Sequence, residues 1–309
     1  MSVTALGVVF ALTLASSPAK LQTAPLPALT WMQLGEESRA ETFDKLPTRS
    51  LSSRLMTASA RFLGTPYVVS PLGEGSGKDP DPRLRYDAVD CLTFVEETLA
   101  LGFARRIEDV EPILTQLRYG EAPVYEDRNH LMEAQWLPHN LAKGYLRDVT
   151  AVYGGAATER TAKVITRETW GSASSRALGL PLTKQQVGSY PFWMIPFSEA
   201  QGRASRAPTG TLMLVVREDR EAKATRMTHL GFLVHADGRT FLRHATRGWK
   251  NAVIDEELGH FLGRVTRHNQ ETDGTWPVVG ISLFEPTRPK DPLHPLPTGG
   301  AQTAGVGEP

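Results

Sequence analysis

Two halves of unlike pattern predict an α+β architecture. Before about residue 170, apolar residues recur mainly at helical spacing; after about residue 210, short β-prone runs follow one another. Asp237-Gly238, set between two of those runs, is a strong two-residue hairpin signal. Helices that precede strands, instead of alternating with them, argue against a parallel βαβ sheet.

The chain opens on a short apolar run, Ala5 to Ala15, followed by small residues. Crossing a bilayer takes ~20 apolar residues, so the run fits the core of a secretory signal peptide, although no Lys or Arg precedes it. Residues 1–19 are expected to be that signal, residues 20–30 a Pro/Thr/Ala-rich linker, residues 31–285 one folded domain, and residues 286–309 a disordered Pro/Gly-rich tail. Export to the periplasm or cell envelope follows, with no stable membrane insertion once the signal is cleaved.

Within the domain, Trp31 to Phe62 is broadly helical with a break at Leu46-Pro47, and Gly64-Thr65-Pro66-Tyr67 ends it. Pro71 to Arg85 is rich in Gly, Pro and Asp without a period, so it reads as a loop. Leu92, Val95, Leu99 and Phe103 then recur at helical spacing, which predicts a helix from Cys91 to about Arg105, capped by Asp90 or Asp87. A second helix is expected over 108–117, a mixed polar stretch over 120–150, helix over 158–170 and irregular chain over 181–208. Strands are expected at 211–216, 228–235, 240–245 and 278–284, with a helix over 255–267 between the last two.

Composition narrows the function. Lys plus Arg and Asp plus Glu each number 34, and no stretch concentrates the cations, which argues against a nucleic-acid or anionic-membrane partner. The tight ligand spacing of a His-Glu-x-x-His zinc site does not occur, so no metal or other cofactor is expected.

Cys91 is the only cysteine in 309 residues, so an exported chain would carry it as a free thiol or an intermolecular link. At a helix start, unpaired N–H groups and the helix dipole favour a thiolate and offer an oxyanion site, while the Asp90 carboxylate opposes ionisation. A free cysteine is often merely buried. The histidines weigh against that here. A two-residue turn at Asp237-Gly238 sets Gly231 opposite His244, so His229, Gly231 and His244 share a face and the two imidazoles are diagonal neighbours. A thiol with two adjacent imidazoles is the inventory of a cysteine hydrolase: His229 as base, His244 as the group that orients it.

Thr228-His229-Leu230-Gly231-Phe232, followed through the hairpin by Arg243-His244-Ala245-Thr246, resembles the histidine strand pair of the NlpC-type papain-like superfamily. Asp90-Cys91-Leu92-Thr93-Phe94-Val95-Glu96, the segment from Arg128 through His130 and Trp136 to Asn140, and Pro208-Thr209-Gly210-Thr211-Leu212 are similar to its N-acetylmuramoyl-L-alanine amidase-like branch. Thr211, where Asp is usual, and Gln135, where an acid is frequent, depart from the pattern. The resemblance implies an antiparallel sheet packed against the helix that carries a catalytic cysteine. It also implies hydrolysis of the bond between the muramyl lactyl group and L-alanine in anhydro-muropeptides. The expected catalytic set is Cys91, His229 and His244; Tyr67, His130, Trp136 and Asn140 are expected to contact the substrate. Cleavage after D-glutamate in the stem peptide by a γ-D-glutamyl-diamino acid endopeptidase is an alternative on the same scaffold. A non-catalytic wall-binding module and a metal-dependent amidase are alternatives of other classes.

Overall fold

The structure, a computed structural model, describes residues 29–248, 250–270, 276–289 and 293. The expected signal peptide, nearly all of the linker and most of the tail lie outside these residues. Among the described residues no helix is long and apolar enough to cross a membrane.

Helices come first: α1 (Glu36–Asp44), α2 (Leu51–Ala60), α3 (Cys91–Phe103) and α4 (Val110–Arg118). A π-helical turn at Met132–Trp136 runs into α5 (Leu137–Ala142). Then follow β1 (Leu146–Asp148), α6 (Thr150–Gly154), β2 (Glu159–Ile165), α7 (Arg167–Gly171), α8 (Ala173–Arg176), β3 (Gly188–Pro196) and α9 (Ala200–Ala204). The remainder is β4 (Leu212–Arg217), β5 (Met227–Ala236), β6 (Arg239–Thr246), β7 (Ala252–Glu257), α10 (Leu258–Gln270) and β8 (Val278–Pro286). The strands form one antiparallel sheet in the order β2-β3-β8-β4-β5-β6-β7, with β1 added against β8.

The sheet is the middle of three layers. On one side Leu214, Leu230 and Phe232 meet the helical half; Phe94 of α3 stands edge-on to Phe232, with ring centres 5.9 Å apart, and to Phe62, at 5.8 Å. On the other, Met213, Val215, Leu233 and Leu242 pack against α9 and α10 through Ala204, Phe261 and Leu262. The two sets alternate along β4 and β5, as the pleat requires. Arg243 of β6 points to the helical side, where it grips the Asp255 carboxylate through two bonds of 2.6 and 2.8 Å. The same guanidinium donates to the Met56 carbonyl and the Ser59 hydroxyl, both at 3.0 Å, tying α2 to the sheet.

The hairpin matches expectation. Asp237 and Gly238 both have positive φ, 50° and 70°, the backbone of the tight turn that suits strand twist. His235 pairs with Thr240 and Leu233 with Leu242. Three expectations are corrected. Residues 159–165 form β2, not helix, paired with β3 at every position from Glu159↔Met194 to Ile165↔Gly188. That partner strand lies in the stretch expected to be irregular. The helix expected from residue 255 begins only at Leu258, because Ala252–Glu257 is strand β7 on the edge of β6. In each case pairing with an adjacent strand of the sheet overrides local preference.

β4 and β5 contain one irregularity. Val215 pairs with His229 and Val216 with Met227, so Thr228 is an extra residue, a β-bulge. It switches the alternation of β5. Met227 joins the helical-side core together with Leu230 and Phe232, while His229 faces the α10 side.

Candidate active site

Cys91 is the first residue of α3, and Asp90 is the N-cap. One Asp90 oxygen accepts from the amides of Leu92 (3.0 Å) and Thr93 (2.8 Å), and the Asp90 amide donates in return to the Thr93 hydroxyl (2.8 Å), a capping box. The other oxygen accepts from the Ser70 amide at 3.1 Å, pinning the preceding loop. Asp87, the alternative cap, instead pairs with Arg85. The cap engages two amides at the helix start, and the Leu92 N–H among them is shared with the thiol. Burial pushes the Cys91 thiol up to about 12 and the Asp90 charge adds to this, against the opposing pull of the Leu230, Cys91 and Leu92 N–H groups. Cys91 therefore rests as a thiol.

The imidazoles form a chain with a carboxylate. His229 Nε2 lies 2.6 Å from His244 Nδ1, and His244 Nε2 lies 3.2 Å from Glu256 Oε2. The three sit on neighbouring strands β5, β6 and β7. Gly231 permits the close approach, since a Cβ there would lie 2.6 Å from the Arg243 carbonyl oxygen and 2.8 Å from His244 Cβ. Phe261 of α10 covers both rings, 5.9 Å from His229 and 5.5 Å from His244. Glu256 is held in turn by Arg264 (2.8 and 3.1 Å) and His260 (2.8 Å) on α10. Burial alone would raise the Glu256 pKa, but hydrogen bonds from His244 and Arg264 outweigh it and bring it down to about 2.

An ionised Glu256 fixes both tautomers. It only accepts, so His244 Nε2 carries the proton and neutral His244 accepts at Nδ1. His229 must then donate from Nε2, which leaves Nδ1 as its free base nitrogen. Burial, then the neighbouring His244 and Arg264, keep His229 well below the ordinary imidazole range, so it rests neutral and able to accept a proton.

Cys91 and His229 open into one cleft of about 810 Å³, which Tyr67, Thr246, Phe261 and Trp276 also line. Tyr67 is thus brought beside Cys91. Burial raises its phenol to about 12, with Cys91 and Asp90 adding to the shift, so the hydroxyl stays a donor. The other three expected substrate contacts are elsewhere. Trp136 is fully buried and donates its indole N–H to Glu96 at 2.8 Å, so it presents no face to a sugar. Asn140 is fully buried as well, donating to the carbonyls of Trp136 (2.8 Å) and Leu117 (3.1 Å). His130 packs at a tilt against the Tyr125 ring, bonds the Tyr125 carbonyl at 2.7 Å and lines a separate cavity of about 260 Å³; Trp276 lines both that cavity and the cleft.

Sequence reading missed Glu256 and Trp276. Glu256 stands in the acidic run Asp255-Glu256-Glu257, which reads as a solvated helix start. The available signal was the alternation from Val253 to Glu256, legible only with β7 placed beside β6. Glu133, also missed, accepts from the amides of Arg226 (2.7 Å) and Met227 (2.8 Å) and so anchors the start of β5, two residues before His229. Among the described residues no group of three His, Cys, Asp or Glu is arranged to hold a metal ion.

The model of a family described as N-acetylmuramoyl-L-alanine amidase-like matches residues 57–267. No curated protein matches the chain. Among solved structures, a protein from Legionella pneumophila is 24% identical, with 82% of this chain and 97% of that one covered and a TM-score of 0.69. An N-acetylmuramoyl-L-alanine amidase from Bacteroides uniformis is 18% identical, with coverage of 77% and 99% and a TM-score of 0.61. A candidate xylanase from Bacteroides fragilis is also 18% identical, with coverage of 74% and 98% and a TM-score of 0.57. At such identities the likeness shows a shared fold, which can carry different reactions.

Proposed function

The chain belongs to the N-acetylmuramoyl-L-alanine amidase-like family, and from that premise we propose that it is a cysteine hydrolase of peptidoglycan fragments, on an NlpC-type papain-like scaffold, that cleaves the amide between the muramyl lactyl group and L-alanine. The observation that carries this reading is the file His229–His244–Glu256, ending in a cleft shared with the only thiol in the sequence.

In the proposed reaction His229 Nδ1 takes the Cys91 proton as Sγ attacks the lactyl carbonyl. The imidazolium then forming shares its Nε2 proton with His244, and the buried Glu256 carboxylate offsets its charge. The tetrahedral oxyanion lies against the Cys91 amide, the one not taken up by the Asp90 cap, and the Tyr67 hydroxyl. His229 protonates the departing alanine amine, leaving a thioester on Cys91. Water, deprotonated by the same nitrogen, attacks the thioester and releases the lactyl carboxylate and the thiol. Thiol and imidazole both begin neutral, so proton transfer is coupled to attack. Export to the cell envelope, where such fragments lie, is part of the proposal and rests on the apolar run from Ala5 to Ala15.

Mass spectrometry of a defined disaccharide-peptide after incubation with the wild type and Cys91→Ala tests the reading. Free disaccharide and an intact stem peptide, formed by the wild type alone, are the expected products. A shortened stem still joined to its sugar would make the enzyme an endopeptidase, and hydrolysis by Cys91→Ala would end the cysteine mechanism.

A further inference from the structure

Outside the histidine file, the charged groups lining the Cys91 cleft among the described residues are all cationic: Arg217, Arg247, Arg264 and Arg267. This is unusual for the chain, whose acids and bases balance at 34 each. Several arginines elsewhere are matched to acids, as in Arg118–Glu96, Arg128–Glu74 and Arg243–Asp255. Two of the cleft arginines have structural duties. Arg264 clamps Glu256, and Arg217 donates to the Thr228 hydroxyl at 3.0 Å and to the Trp276 carbonyl, with its guanidinium 5.4 Å from the Trp276 ring centre. Arg247 and Arg267 are exposed, and no described acidic side chain pairs with either.

We propose that Arg247 and Arg267 form a carboxylate-reading rim on the cleft, which selects a peptide bearing a free carboxylate on the leaving-group side of the scissile amide. The inference rests on the amidase reading and adds the charge state of the substrate. A cleft with low-dielectric walls, here Val215, Phe261, Val265 and Trp276, concentrates the field of its charges and draws in ligands of opposite sign. Guanidinium groups suit carboxylates in particular, because the planar fork can give two parallel hydrogen bonds. Trp276, which lines both the cleft and the neighbouring cavity, supplies an apolar face for the rest of the ligand.

The test compares two muropeptides that differ at one group, a free stem-peptide carboxylate or its amide. For the wild type, KM for the amide is expected to exceed KM for the acid by about tenfold, the yield of one charge-assisted contact. In Arg247→Gln/Arg267→Gln that ratio should fall toward one, and in the wild type it should shrink as salt rises from about 0.05 to 0.5 M. Equal KM values in the wild type, or a ratio unmoved by the double substitution, overturn the rim and leave the amidase reading intact. If the wild type cleaves neither compound, the amidase reading fails instead. Calorimetric titration of Cys91→Ala with the same pair then decides the rim by itself: tighter binding of the acid, lost with both arginines, supports it, and equal binding overturns it.

Discussion

His229 and Glu256 lie on strands separated by β6 and are joined through His244, which bonds the first at 2.6 Å and the second at 3.2 Å. The carboxylate dictates which nitrogen of the outer imidazole is bare, although it contacts only the inner one. It also lets the pair take up a proton without leaving an uncompensated buried charge.

Replacement of Glu256 by Gln should lower kcat by about tenfold to a hundredfold, the usual cost of losing a partner that orients a functional histidine. Glu256 raises the pKa of both histidines. The acid limb of the rate profile should therefore move to lower pH even as the rate falls. A normal kcat, or an acid limb displaced upward, would show that Glu256 serves only to hold α10.

The wild-type profile follows from the resting protonation states. Burial depresses His229 well below 6.5. The base stays unprotonated as pH falls through the range where free imidazole titrates, and activity is lost only on passing the depressed value. The thiol, raised to about 12, brings no alkaline loss near neutrality. Measured kcat/KM should stay level from pH 8 down to about 6.5; a midpoint at or above 6.5 would contradict the neutral pair.

Cys91→Ser and His229→Ala should each reduce hydrolysis by at least about a thousandfold, with circular dichroism unchanged. His244→Ala should be about a hundredfold less severe, since an orienting group governs geometry and not the transfer itself. Steady-state rates on one muropeptide rank the three, and a worse His244 variant would reverse the assigned roles.

Gly231→Ala should destabilise the protein by about 1–3 kcal/mol and remove most activity, because its Cβ would meet backbone 2.6 Å away on β6 and the core of His244 at 2.8 Å. Denaturant midpoints and rates measured together check this; a stable, active variant would mean that β5 and β6 can part freely.

The two tryptophans should separate cleanly. Trp136→Phe strands a buried acceptor on Glu96, costing about 1–3 kcal/mol of stability without altering KM. Trp276→Ala, in the cleft wall, should raise KM. Thermal melts and kinetics distinguish them, and a raised KM for Trp136→Phe would return that residue to the substrate surface.

What could be read from the sequence was local chemistry. Asp237-Gly238 carries its own turn, so the register that brings His229 to His244 followed from it. Asp90 carries its own cap, so the start of α3 at Cys91 followed as well. What escaped depends on distant partners. β7 holds Asp255 and Glu256 in the interior because Arg243 and His244 receive them, and nothing in the acidic run announces those partners. Trp136 and Asn140 look like exposed polar and aromatic contacts in a mixed segment, until Glu96 and the Leu117 carbonyl satisfy them inside the core. Thr228 is invisible as a bulge, since an extra residue shows only against the strand beside it.

Arg243 and His244 are consecutive on β6, as Asp255 and Glu256 are on β7, and each couple meets the other on both sides of the sheet. The helical side receives a salt bridge that holds α2, and the opposite side a hydrogen-bonded imidazole that holds α10 through Glu256. Two strands thus act as a key cut on both edges. Sliding β7 by two residues would keep every side chain on its proper face. In one direction it would set the Asp255 charge opposite Phe241 and Glu256 opposite Thr240, away from His244, unlocking both layers together. An edge strand misregistered that way would be penalised twice, so assembly of the sheet and completion of the His229–His244–Glu256 file become one event.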